Sequence, residues 1–202
     1  MCQMDSFHKV PPHGRIRDWL GAEGVQRLLT YAQSNEHLFK DSEIVSGFNR
    51  SVRVSRVLEL GHLENDILAK IKETLPMIFE ALCVKPFNPQ VELDLAAHGD
   101  GAFFARHFDT IRHRQHRIIS AIYYFHALPK AFSGGLLRLH SMAASGEEGS
   151  FVDIPPDLDS LVFFPSIFPH EVLRISSPSR RFLDSRFAIN IWLSRALGNN
   201  VN

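Results

Sequence analysis

The fold turns on one stretch of sequence: Val91-Glu-Leu-Asp-Leu95, then Gly99-Asp-Gly101, Phe103-Phe-Ala-Arg-His-Phe-Asp109 and Ile118-Ile-Ser-Ala-Ile-Tyr-Tyr-Phe125. The first five residues alternate apolar and acidic side chains, the period of a strand with one buried face. Asp100, with glycine on both sides, marks a turn. Phe103 to Asp109 and Ile118 to Phe125 then read as two further strands. Beyond them, Gly134-Gly135 opens Leu136-Leu-Arg-Leu139, Phe151–Ile154 and Leu161–Phe164 flank the turn-like Pro155-Pro-Asp-Leu-Asp159, and Phe187–Leu193 closes the series. No helical crossover separates these strands, which excludes a doubly wound parallel sheet and predicts a β-sandwich or jelly roll.

Upstream of residue 85 the texture is helical. Val25, Leu28, Leu29 and Ala32 follow the i, i+3, i+4, i+7 spacing of an amphipathic helix. Leu63, Ile67, Ile71, Leu75, Ile78, Phe79 and Leu82 make a second, in which Pro76 is expected to kink or split the helix. Glu43 to Leu60 reads as extended, with Val52 and Val54 alternating against Arg53 and Ser55. The expectation is a mainly β fold with α support: one domain, residues 1–202, in which 1–85 supply helical support and the first strands and 86–197 form the β core.

The chain has 202 residues, a length that suits one large domain. Its 22 Lys+Arg balance 22 Asp+Glu, so nucleic acid and acidic membrane surfaces are not expected partners. Two cysteines, Cys2 and Cys83, are too few for a disulfide scaffold or a Cys-rich metal site. No signal peptide or membrane-spanning run is evident, which predicts a cytoplasmic address. The 11 histidines are the unusual feature, because imidazole is a common transition-metal ligand.

His107-Phe108-Asp109 lies at a predicted strand end. Residues i and i+2 of a strand share a face, so one imidazole and one carboxylate converge, with Phe108 turned to the opposite layer. His170 follows the β run Leu161–Phe164, and the three together would make the facial triad of non-haem Fe(II) oxygenases. A surface His–Asp pair is the plainer alternative. Two imitators are set aside: His98-Gly99-Asp100 because it is a turn, and His62-Leu63-Glu64 because it opens a helix, where Glu serves the N-terminus. Arg186, at the start of the last strand, could grip a carboxylate with two parallel hydrogen bonds, or form an ordinary salt bridge. Arg180 and Arg181 compete for that role from a Ser/Pro-rich loop. One of Tyr123 and Tyr124 must turn inward and find a partner for its hydroxyl.

Taken in order, Gly99–Asp109, Tyr123-Tyr-Phe125, Pro129-Lys-Ala-Phe-Ser-Gly-Gly-Leu-Leu-Arg-Leu139, Phe163-Phe-Pro-Ser166, His170-Glu-Val172 and Arg186-Phe-Ala-Ile-Asn-Ile-Trp192 resemble the Fe(II)/2-oxoglutarate-dependent dioxygenases of the prolyl 4-hydroxylase-like branch. The resemblance covers about residues 90–195. It implies a double-stranded β-helix, a cupin-like jelly roll, buttressed by the N-terminal helices. It also implies Fe(II) held by His107, Asp109 and His170. The far carboxylate of 2-oxoglutarate would lie on Arg186 and Tyr124, with His98, Asn190 and Trp192 nearby and Gly134-Gly135 admitting a strand close to the site. In this sequence His98 stands where the family often has a tyrosine, and Arg174 to Ser185 makes a longer loop than usual.

The implied reaction couples oxidative decarboxylation of 2-oxoglutarate by O₂ to hydroxylation of an unactivated C–H, with ascorbate as an accessory reductant. The retained Asp109 argues against halogenation. Phe103, Phe104, Phe163, Phe164 and Phe168 could wall the site or simply fill the core. The implied substrate is a prolyl residue or an amino-acid-like molecule, small or peptidic. Its contacts are expected from Thr110–His116, from Arg50, Arg53 and Arg56, and from the loop after His170. Arg112, Arg114 and Arg117 suggest an anionic group, although a solvated charged loop explains them equally. The rival readings are a cupin-like oxygenase that needs no 2-oxoglutarate and a non-catalytic binding domain on the same fold. A hydrolytic zinc enzyme lacks its His-Glu-x-x-His here.

Overall fold

The computed structural model describes residues 10–42, 51–110, 116–142 and 149–196. Two helices, α1 (Gly21–Ser34) and α2 (Glu64–Ala81), accompany fourteen strands among these residues. The strands are β1 (Gly14–Arg17), β2 (Lys40–Asp41), β3 (Arg53–Val54), β4 (Arg56–Leu58), β5 (Gln90–His98), β6 (Phe103–His107) and β7 (Arg117–Phe125). They continue as β8 (Ser133–Gly134), β9 (Leu137–His140), β10 (Phe151–Ile154), β11 (Ser160–Pro165), β12 (His170–Val172), β13 (Ile175–Ser176) and β14 (Arg186–Ser194). A major sheet runs β1-β11-β7-β14-β5-β4-β2, a minor sheet β10-β9-β12-β6-β3, and β13 pairs with β8. Every pairing is antiparallel. This is the expected jelly roll.

The two faces of the major sheet have different tasks. Ile119, Ala121, Tyr123 and Phe125 of β7 and Phe187, Ile189, Ile191 and Leu193 of β14 join Leu28, Ala32, Ile67, Ile71 and Ile78 of the helices in one buried cluster. The intervening Ile122, Tyr124 and Ala188 pack with Val162 and Phe164 of β11 against Leu137, Leu139 and Ile154 of the minor sheet. Strand period two therefore divides one sequence between a structural layer and the barrel interior. Arg186, Ala188, Asn190 and Trp192 fall on the interior side of β14.

Asp159 fastens the layers together. It accepts from the backbone N–H of Leu20 (2.9 Å) and Gly21 (2.8 Å) at the start of α1, and from the Tyr123 hydroxyl (2.8 Å). No side chain of the N-cap position itself does this, so a distant loop supplies the cap. Trp19 Nε1 donates to Thr74 Oγ1 of α2 at 2.9 Å, tying the segment that leads into α1 to the second helix.

Two expectations need correction. Pro76 does not split the second helix, which runs unbroken from Glu64 to Ala81. Pro76 lies on its exposed face while Ile71, Thr74 and Ile78 stay buried, so the carbonyl left without a donor faces water. Phe108 does not enter an opposite layer: β6 ends at His107 and Phe108 is 45% exposed. The extended reading of Glu43–Leu60 holds for β3 and β4, while residues 43–50 lie outside the described residues. No helix among the described residues is long and apolar enough to cross a membrane.

Candidate metal and cosubstrate site

His107 is the last residue of β6, and His170 the first of β12. The register places them directly opposite one another, so their rings meet with centroids 4.2 Å apart. The bend after β6 turns Asp109 back toward both. His107 Nε2 lies 3.8 Å from Asp109 Oδ1, and His170 Nε2 lies 3.5 Å from Oδ2. These separations are too long for hydrogen bonds. All three ligand atoms lie within 4.8 Å of one another, which suits one ion with metal–ligand bonds of about 2.0–2.2 Å.

The surrounding groups hold this geometry. His107 Nδ1 donates to the Ala105 carbonyl (2.9 Å) and His170 Nδ1 to that of Phe168 (3.1 Å). A carbonyl only accepts, so each ring keeps its proton on Nδ1 and aims the Nε2 lone pair at Asp109. Ser120 Oγ donates to Asp109 Oδ2 at 2.6 Å and lies 2.9 Å from Ser166 Oγ. The Trp192 indole lies on the same cavity wall and adds to the lowering of this carboxylate. Burial pushes the Asp109 carboxyl up, but His170, His107, Ser120 and Trp192 outweigh it and hold the group below its ordinary value. Burial, reinforced by His170, lowers His107 to about 3, so the ring is neutral and available to a cation at physiological pH. Phe104 stacks on His107 at 3.5 Å, and Phe164 meets His170 edge-on at 4.8 Å.

Deeper in the barrel lies a guanidinium with no carboxylate within 4.0 Å among the described residues. Arg186 is 1% exposed, and among the described residues its Nε and Nη2 have no hydrogen-bond partner; nor does the buried hydroxyl of Tyr124, whose ring lies 4.6 Å from the guanidinium carbon. Nη1 lies 3.3 Å from His98 Nδ1, across the pairing of β14 with β5. Burial, and then the charges of Arg186 and Arg53, push His98 well below its ordinary value, so it stays neutral and accepts from Arg186. Gly135 makes room here: its φ is +67°, and a Cβ would stand 2.8 Å from Arg186 Cδ. A buried cation with orphaned donors is costly alone and fits a carboxylate presented to two N–H groups.

Among the expected residues, Arg53, His98, His107, Asp109, His170, Arg186, Asn190 and Trp192 line one cavity, and Tyr124 packs against Arg186. Asn190 Nδ2 donates to Asp94 Oδ1 at 2.6 Å. Arg53 Nε donates to Ser55 Oγ at 3.0 Å, with its guanidinium carbon 4.9 Å from the Phe104 ring centre. Arg117 lies apart: it donates from Nε to Glu92 Oε1 at 3.1 Å and lies over Trp192 at 4.0 Å, behind the cavity wall. Arg180 pairs with Asp100 (3.2 Å), Arg181 with Asp184 (2.8 Å), and Arg56 rests on Phe182. Of the aromatic candidates, Phe163 faces the helices and Phe103 lies under Arg174. Arg50, Arg112 and Arg114 lie outside the described residues. Sequence reasoning missed Ser120 and Asp94. Ser120 shares the inward face of β7 with Tyr124 four residues later, a signal that could have found it.

A sequence profile of the 2OG-Fe(II) oxygenase superfamily matches residues 93–194. The chain belongs to that superfamily. The oxygenase is 33% identical to an uncharacterised PKHD-type hydroxylase of Synechocystis over 204 residues, covering 96% of this chain and 67% of the relative. In fold it is similar to a Pseudomonas putida prolyl-4-hydroxylase, with a TM-score of 0.68, 22% identity and 92% and 94% of the two chains covered. It is also similar to a Trichoplax adhaerens prolyl hydroxylase in complex with a hypoxia inducible factor peptide, with a TM-score of 0.64, 19% identity and 91% and 83% covered. Fe(II), 2-oxoglutarate and O₂ are the oxygenase's cofactor and cosubstrates. The donor set of the triad and the orphaned N–H groups of Arg186 fit them.

Proposed function

We propose that this oxygenase is a hydroxylase of a prolyl residue or amino-acid-like substrate, working as one domain over residues 1–202. In this reading His107, Asp109 and His170 hold Fe(II), and Arg186 with Tyr124 and His98 holds the far carboxylate of 2-oxoglutarate. The observation that carries it is the pairing of two ends of one cavity: three convergent ligands at one, an unsatisfied buried guanidinium at the other. Bound iron supplies the redox chemistry that couples decarboxylation of 2-oxoglutarate to oxidation of a C–H bond.

The chain's own residues supply position and dryness. Arg186 fixes the cosubstrate's far end and so its reach toward the triad. Ser120 and Trp192 keep the Asp109 carboxylate turned to the ion. Asn190 stands on the wall between the two ends, its amide fixed by Asp94. Phe104 and Phe164 cover the imidazoles and restrict water. Arg53, on the facing sheet, lines the same cavity and in this reading contacts the substrate. Arg117, engaged by Glu92 and Trp192, is not assigned a substrate contact.

The test is succinate release with Fe(II), 2-oxoglutarate and ascorbate against prolyl peptides and free amino acids. Substrate-stimulated succinate that disappears in Arg186→Ala supports the proposal. Turnover that persists without 2-oxoglutarate would replace it with the cupin-like alternative.

A further inference from the structure

A second cavity, of about 510 Å³, lies beside α1 and shares no lining residue with the triad cavity. Its volume is that of a small-molecule site. It follows α1 from Ala22 to Gln33, about 16 Å at the rise of an α-helix. The walls are apolar: Val25 and Leu29 of the helix stand with Leu128, Leu158 and Leu183, and Leu128 is 73% exposed. The charged groups gather at one end. β7 stops at Phe125, and its register with β11, Tyr124 against Ser160, continues so that His126 falls across from Leu158, next to Asp159. Asp18 joins them, because the Trp19 backbone N–H donates to the Asp159 carbonyl at 3.3 Å. All three residues line the cavity. His126 is only 5% exposed, and its Nδ1 donates to the Ala127 carbonyl at 2.8 Å. The proton therefore sits on Nδ1, and Nε2 carries a lone pair with no hydrogen-bond partner among the described residues. No Lys or Arg lines the cavity. No cationic side chain among the described residues lies within 4.0 Å of either carboxylate. Lys130, whose charge reaches His126, rests on the Phe132 ring at 4.6 Å, outside the lining. Asp159 already meets the positive start of α1 through Leu20 and Gly21, which leaves the charge of Asp18 uncommitted.

We propose that this cavity binds a small amphiphilic monoamine, its alkyl or aryl body along the leucines beside α1 and its ammonium among Asp18, Asp159 and His126. An ammonium brings three donors, one positive charge and no acceptor, the complement of two carboxylates and an imidazole lone pair. A buried acceptor left without a donor is costly, and the ligand's N–H supplies one to His126. An anionic head would meet like charge, and a hydroxyl would gain a hydrogen bond without the charge. Burial lowers His126, which keeps its ring neutral and accepting near neutral pH. The site draws on none of the iron or cosubstrate residues, so it stands or falls apart from the hydroxylase reading.

The test titrates full-length protein, labelled with nitrogen-15 at histidine, with n-octylamine, n-octanol and n-octanoate at neutral pH and low salt. Octylamine is expected to bind about tenfold more tightly than octanol, and octanoate more weakly than either. Added salt should weaken the amine and spare the alcohol. The Nε2 resonance of His126, identified by its loss in His126→Gln, is expected to move as octylamine binds. Asp18→Asn keeps the side chain's size, and asparagine tolerates the left-handed backbone there (φ 52°). It is expected to weaken octylamine about three- to fivefold and leave octanol unmoved. Ala22→Trp, on the exposed first turn of α1, places a bulky ring at the cavity and is expected to weaken all three probes. Circular dichroism checks that each variant is folded. Failure of octylamine to saturate the protein overturns the proposal, as does octanol or octanoate binding as tightly as the amine. A His126 resonance that stays fixed at saturation overturns it too. So does equal weakening of every probe by Asp18→Asn, the mark of a merely structural acid. Octylamine affinity untouched by Ala22→Trp would place the amine elsewhere and overturn the site.

Discussion

Residue by residue, the site separates groups that would touch reactants from groups that aim them. Arg186 is of the first kind. Arg186→Ala is expected to raise the KM for 2-oxoglutarate roughly a hundredfold, the cost of losing charge-assisted bonds to a buried carboxylate; cosubstrate-dependent succinate release measures it. Ser120 is of the second kind. Ser120→Ala removes the 2.6 Å bond that orients Asp109, and metal affinity is expected to fall about tenfold or more, as for other groups that orient a ligand. Mn(II) titration followed by EPR reads this directly, with the fold checked by circular dichroism. The triad residues were legible in the sequence as a pattern of residue types, but not for the reason strand alternation offers: β6 ends at His107, and the bend after it, not a shared strand face, brings Asp109 to the two imidazoles. Ser120 was legible only in part: its spacing from Tyr124 puts it on the inward face, but which acid it serves depends on the return of Asp109 to that face. Asp94 was hidden in the same way: in Val91-Glu-Leu-Asp-Leu95 it reads as the solvent side of a strand, whereas that side faces the barrel interior.

At the scale of elements, the connections decide how the site is held. The Gly134-Gly135 turn passes so close to Arg186 that Gly135→Ala puts a methyl group against Cδ in a left-handed backbone conformation. A destabilisation of about 1–3 kcal/mol is expected. A higher KM for 2-oxoglutarate should accompany it; unaltered cosubstrate binding would show that Arg186 tolerates the shift. Asp159 works between elements. Its loss leaves the first N–H groups of α1 and the Tyr123 hydroxyl without their acceptor, so Asp159→Ala is expected to cost about 2–4 kcal/mol in urea unfolding. The strands were readable from periodicity, and most boundaries fell within two residues of the expectation. The uninterrupted second helix was not, since proline's cost depends on which face it occupies, and that is fixed only when the helix docks. The position of Arg117 was also illegible: its partner Glu92 lies 25 residues away on another strand.

The molecule as a whole carries histidines that folding keeps neutral. His98 is lowered well below its ordinary 6.5, first by burial and then by Arg186 and Arg53. His126 is lowered mainly by burial. In the unfolded chain both take up a proton near their ordinary value, so below about pH 6.5 the unfolded state binds more protons than the folded one. Stability of the metal-free protein is therefore expected to be flat above neutrality and to fall as pH drops from 6.5 toward 4. Urea denaturation across a pH series measures the slope, and His126→Gln should make it shallower.

The division of β14 between two faces has a consequence for how the protein tolerates change. A saturation library across residues 186–194, scored once for soluble yield and once for turnover per folded molecule, should show two interleaved phenotypes. Polar replacements at Phe187, Ile189, Ile191 and Leu193 should deplete yield, whereas replacements at Arg186, Asn190 and Trp192 should spare more of the yield and silence the enzyme. Selection for new chemistry can then work on every second position of this strand while its neighbours keep the molecule soluble.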